Sequence, residues 1–151
     1  MQQGEWYSAE SCGDAAIEEL VRSAPDLPAE YLAYLRESDG GGGDIPVQPW
    51  GINFWKANKV PAKNLGYEVA LNVPGFYAFG TSGGGEMFAF DMRSAKPWPV
   101  VIIPFIGMEA EATIVVAPDF ASFRQMFGKT DELPADEIRL DDTGHPLDPN
   151  L

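Results

Sequence analysis

The chain has 151 residues, 45% of them hydrophobic and 12% aromatic, which matches the size and apolar content of one ordinary globular domain. At this length roughly two-thirds of the unfolded surface is buried on folding, so a core forms without disulfides or a structural metal. Ten Lys and Arg against 23 Asp and Glu give a formal charge of −13, which repels a phosphate backbone and argues against direct nucleic-acid binding.

The charge is uneven. Residues 1–44 hold ten acids and two bases, residues 45–127 hold six of each, and residues 128–151 hold seven and two. Any acidic face therefore comes from the two ends, while the middle supplies most of the aromatic material. Solubility is the plain reading of such charge, and a field that steers a basic partner is the functional one. The longest apolar run, Val100 to Met108, is interrupted by Pro104 and Gly107 and falls far short of the ~20 residues a membrane helix requires. Met1 to Trp6 lack the basic cap and apolar stretch of a signal peptide, and Cys12 is the single cysteine, so the expectation is a cytoplasmic protein without disulfides or membrane contact.

In chain order, residues 1–13 read as a polar lead-in. Ile17, Leu20, Val21 and Ala24 then recur at helical spacing, with Glu18, Glu19 and Arg22 outward, Asp14 or Ser11 as the cap and Pro25 as the stop. A second helix is expected from Leu27-Pro28, turning Tyr31, Leu32, Leu35 and Tyr34 inward and ending at Ser38-Asp39-Gly40. Gly40 to Gly43 read as a flexible or sharply turning connection. Val47 to Trp55 is aromatic and extended, and Ala57 to Leu65 suggests a helical turn weakened by Pro61. Phe76 to Thr81 and Met87 to Asp91 form a predicted hairpin across Ser82-Gly83-Gly84-Gly85-Glu86. Val100 to Phe105 and Thr113 to Val116 are further strands. Phe120, Phe123 and Phe127 sit at helical spacing after a capping Asp119 and before Gly128. Helices, then strands, then one helix is an α+β order with a mostly antiparallel sheet. Residues 14–128 make the single domain, and residues 129–151 read as an acidic tail containing Pro and Gly, loosely docked or mobile.

Chemistry finds little purchase in these residues. His145, the sole histidine, stands in Gly144-His145-Pro146 of the acidic tail, a poor place for a group that must be held rigidly. Cys12 lies between Glu10 and Asp14, which raise rather than lower a thiol pKa. One cysteine and one histidine do not make a zinc site, and the Asp39 to Asp44 stretch lacks the alternating ligands and closing Glu of a calcium loop. Gly80 to Gly85 has no following Lys-Ser/Thr and runs into a strand, so it reads as a hairpin turn rather than a phosphate loop. Glu109 and Glu111 read as a solvated rim. No catalytic residue, metal or cofactor is assigned.

Several segments together resemble the SUKH superfamily and, within it, the SMI/KNR-type domain. They are Ile17 to Leu20, Leu27 to Leu35 followed by Ser38 to Gly41, Gly66 to Val69, Pro74 to Glu86 with Met87 to Asp91, and Val116 to Phe123. The resemblance spans about residues 14–128. It implies helices flanking a curved antiparallel sheet. It also implies a non-enzymatic role, in bacteria mainly that of an immunity protein that binds and neutralises a toxin, frequently a nuclease; eukaryotic relatives serve in cell-wall regulation. The tetraglycine and the acidic tail depart from the pattern, so partner choice does not transfer. On this reading Asp39, Asp44, Glu86, Glu109 and Glu111 steer a basic protein partner, and Trp50, Trp55 and Tyr67 anchor it. The alternative is a regulatory or scaffolding module of the same fold, and a small-molecule binder using the concave sheet face is a third, weaker reading.

Overall fold

The computed structural model describes residues 2 to 130. The acidic tail from residue 131, including His145, lies outside the described residues. Two short strands, β1 (Gln2–Gln3) and β2 (Trp6–Tyr7), precede helix α1 (Asp14–Ser23) and helix α2 (Ala29–Glu37). Strands β3 (Gly42–Asp44) and β4 (Gly51–Phe54) follow, then helices α3 (Val60–Gly66) and α4 (Val69–Asn72). Strands β5 (Phe76–Thr81), β6 (Glu86–Asp91), β7 (Val100–Pro104) and β8 (Ile114–Ala117), helix α5 (Phe120–Arg124) and strand β9 (Lys129–Thr130) complete the order.

Strands β2 to β8 form one curled antiparallel sheet whose spatial order is the chain order, and β1 pairs separately with β9. A meander of this kind sorts its connections by end. The β3–β4, β5–β6 and β7–β8 links lie at one end, here called the loop end. The helix pairs α1–α2 and α3–α4 enter through links at the other end.

The aromatic spacing read in the sequence builds the core. Tyr31 of α2 meets Phe79 and Phe90 at 5.3 Å and Phe120 at 5.6 Å, and Phe123 meets Phe88 at 5.6 Å. Ile17, Leu20, Leu35, Phe88, Phe90 and Val100 are fully or almost fully buried beside them. Asp119 caps α5 by accepting the Ser122 N–H at 2.7 Å. That bond holds its carboxyl below the usual range.

Four local features differ from the sequence reading. First, the lead-in is part of the sheet: Trp6 and Tyr7 pair with Gly43 and Gly42, and the Trp6 ring stacks on Phe127 at 4.3 Å. Second, the tetraglycine is a strand for half its length, because Gly42 crosses Asn53 so closely that a Cβ would land on the Ile52 carbonyl oxygen. Third, Pro61 sits in the first turn of α3, where no intrahelical N–H bond is lost, so it favours the helix it was expected to weaken. Fourth, β5 is bulged between Ala78 and Gly80, and Asn64 of α3 takes the position a neighbouring strand would fill. Its side-chain amide donates to the Ala78 carbonyl at 2.8 Å while its oxygen accepts the Ala78 N–H at 2.8 Å.

Candidate functional site

The meander brings residues far apart in sequence to the loop end. Asp44 and Trp50 flank the β3–β4 link, Glu86 closes the β5–β6 hairpin, and Glu109 and Glu111 ride on the β7–β8 link. None of the three links contains a Lys or Arg. Trp50 is 53% exposed with a positive φ of 76°, and Ile106 on the β7–β8 link is 93% exposed. The β7–β8 link folds back on the sheet: its 3-10 turn, Ala110–Ala112, touches β7, and the Glu111 charge is felt by Arg93.

The acids singled out in the sequence differ in what they are free to do. The Asp44 carboxylate accepts the Glu5 N–H at 2.9 Å and thereby fixes β2 against β3. One Glu86 oxygen accepts the Ser82 hydroxyl at 2.8 Å and tightens the hairpin. Asp39 lies away from the loop end, after α2, where it accepts the Ala57 N–H at 2.7 Å. Glu109 and Glu111 are exposed and make no ion pair with a described residue. Among the described residues the ion pairs are Arg93 with Asp91 and Arg124 with Glu37. The bidentate Arg93 fork holds the Asp91 carboxyl below its ordinary range.

Trp55 and Tyr67 do come together, but in unequal roles. Trp55 is only 9% exposed, whereas Tyr67 stacks on it at 6.0 Å, is 41% exposed and leans on Phe105 at 4.8 Å. Lys63 stands over the Trp55 ring at 5.8 Å. Lys59, Lys63, Gly66 and Tyr67 line a shallow depression of about 300 Å³, so this aromatic pair is bordered by bases rather than by acids. The sequence reading missed these lysines. Their spacing of four, continued by Tyr67, was the available signal for one helical face.

A second feature, also unread in the sequence, is a furrow between α1 and the α3–α4 pair. Its largest section, about 510 Å³, is lined by Pro61, Leu65, Leu71, Phe76 and Tyr77 with Glu68 at the rim. It continues over Asp26, Leu27 and Trp98. Where the two sections meet, the Ser23 and Tyr77 hydroxyls lie 3.3 Å apart.

Among the described residues no three His, Cys, Asp or Glu side chains converge on a metal position. Cys12 donates to the Leu35 carbonyl at 3.4 Å, and burial, followed by the Asp39 charge, pushes its thiol up and so away from the reactive thiolate. The Tyr31 hydroxyl is buried without a hydrogen-bond partner, and burial drives its pKa well up. No described helix is long and apolar enough to cross a membrane. No curated protein matches the sequence. The model of the SMI1 / KNR4 family (SUKH-1) matches residues 14–126, three-quarters of the chain and the segment that holds α1 to α5 and β3 to β8. With the curled antiparallel sheet and the aromatic helix packing in place, the chain belongs to the SMI1 / KNR4 family (SUKH-1).

Proposed function

We propose that this protein is a non-enzymatic immunity protein that neutralises a protein toxin by docking its loop end over the toxin's basic groove. Family membership supports a toxin-immunity or SMI1 / KNR4-type role. The observation that carries the finer reading is the composition of the loop end: an acid at the edge of or within each of three links (Asp44, Glu86, and Glu109 with Glu111), no base within those links, and an exposed Trp50 and Ile106 beside them. A nuclease groove built for phosphate is basic, so an acidic end with an apolar anchor fits it twice over. The acids accelerate encounter and reject acidic partners, while the desolvated aromatic slows release.

Glu109 and Glu111 are the steering charges in this reading, with Asp44 and Glu86 adding to the same field from their hydrogen-bonded positions. Trp50 is the anchor, and Tyr67 extends the contact through Phe105. Trp55 supports Tyr67 from beneath, and Asp39 acts through the fold.

The test is neutralisation of the toxin encoded beside this protein's gene, by co-expression and by calorimetry with the purified pair. Protection is expected from the natural chain and lost in Trp50→Ala combined with Glu109→Lys and Glu111→Lys. Association is expected to slow with added salt. Equal killing with and without the protein overturns the reading for that pair, as does full protection by the triple variant.

A further inference from the structure

The furrow between α1 and the α3–α4 pair combines apolar walls with polar groups of one kind. Its larger section, about 510 Å³, is concave and falls within the size range of small-ligand sites. Leu65 and Leu71 in its walls are 81% and 74% exposed, and Tyr77 lines this section and the next. Large side chains left in solvent around one depression mark a binding surface.

The polar groups of the larger section accept and do not donate. Ser23 donates to the Leu20 carbonyl at 2.9 Å, so in its 3.3 Å contact with Tyr77 the tyrosine is the donor, and both hydroxyl protons are used. Both amide protons of Asn64 are engaged as well, by the Val60 and Ala78 carbonyls. The remaining polar side chain is Glu68, whose carboxylate has no ion pair or hydrogen bond with a described residue. An occupant of this section must therefore bring the proton.

Charge points the same way. Glu68 lines the larger section and Asp26 the smaller, and no lysine or arginine lines either. Arg93 stands over the Phe76 ring at 4.7 Å, but its guanidinium is held by Asp91. Glu68 also has a left-handed backbone, φ 57° and ψ 44°, whereas Gly66, two residues earlier, has no positive φ. A carboxylate thus occupies a position that conformation alone would give to glycine, a pattern found where a side chain serves a site.

We infer that the furrow binds a small primary amine with an apolar body, the body against Leu65, Leu71 and Tyr77 and the ammonium on the Glu68 carboxylate. Binding here does not depend on the toxin reading, and its test uses no toxin. Phenylbutylamine, phenylbutanol and phenylbutyrate, which share one apolar body, are titrated into the isotope-labelled full chain and followed by amide spectra. A leucine-lysine-leucine peptide is run alongside.

The amine is expected to shift the amides of Ser23, Leu65, Leu71 and Tyr77 and to bind about fivefold tighter than the alcohol, the gain from one exposed ion pair. The butyrate is expected to bind weakest. In Glu68→Gln the amine is expected to fall to the affinity of the alcohol, with the alcohol unchanged. Leu65→Ser with Leu71→Ser, at positions already in solvent, is expected to weaken amine and alcohol alike. Shifts that are absent or centred elsewhere, a butyrate that binds as well as the amine, or an amine preference that survives Glu68→Gln overturns the inference. So does binding of the peptide without binding of the free amine.

Discussion

The loop end and the α3 face treat charge in opposite ways. At the loop end, Asp44 and Glu86 already hold a backbone N–H and a hydroxyl, so part of the acidic charge is committed to shaping the surface it lies on. On α3, Lys59 and Lys63 have no described acid to hold, and Lys63 stands over the Trp55 ring. A charge counted in the sequence is available to a partner only after the fold's own demands are met. By that measure Glu109, Glu111 and the α3 lysines are available, whereas Asp39 is engaged.

Substitutions that remove the scaffolding of either region sharpen this contrast most. Gly42→Ala forces β3 away from the Ile52 carbonyl and is expected to cost about 3 kcal/mol, at the upper end of overpacking losses, read as a lowered urea midpoint. An unchanged midpoint would mean that the loop end does not depend on that close crossing. Asn64→Ala leaves the buried Ala78 N–H and carbonyl without partners and is expected to cost about 2 kcal/mol, loosening α3 while the loop end stays in register. Faster hydrogen exchange confined to α3 and β5 is the matching observation.

Asp44→Ala removes one solvent-exposed hydrogen bond and is expected to cost about 0.5 kcal/mol, which marks this acid as partly structural. Trp50→Ala changes stability by no more than ~0.5 kcal/mol, since the ring is largely in solvent, yet it is expected to abolish protection against the partner toxin. The smallest effect is in acid. Arg93 lowers the Asp91 pKa in the folded state, so the stability this pair gives is present above the unfolded value of about 3.9 and fades as pH falls through the folded value. Arg93→Ala is expected to flatten that part of a stability-against-pH curve and leave the neutral plateau almost unchanged.

Much of the fold was legible because its signals are local. Helical spacing marked Ile17 and Leu20, Tyr31 and Leu35, and Phe120 and Phe123, and all six are buried. The Ser82 to Glu86 glycines marked the hairpin between β5 and β6. What escaped was settled by distant partners. Trp6 reads as a stray aromatic until Phe127 arrives to stack on it, and Gly42 reads as a loop residue until Asn53 passes alongside. Asn64 carries no hint that it will bond Ala78, fourteen residues later on β5 and just past the last β4–β5 pair, Phe54 with Gly80.

The candidate site was legible as residue types more than as places. Sequence distance could not show that Trp50, Glu86 and Glu109 share one end, which follows from the meander alone. Nor could it separate Trp55 from Tyr67, since both are large aromatics near element ends; burial under α3 distinguishes them.

The two margins of the sheet are finished differently. The β2 margin is tied off: Asp44 reaches across to Glu5, and the Gly4 N–H donates to the Gly128 carbonyl at 2.7 Å, beside the β1–β9 pair. Strand β8 ends the sheet with no further strand among the described residues, and Ile114 and Val115 are exposed on it. Crowding therefore acts unequally on the molecule, because unpaired amides flanked by aliphatic groups recruit a like strand from a neighbour. Clumping on overexpression would start at that rim, and a lysine in place of Val115 is the simplest guard against it.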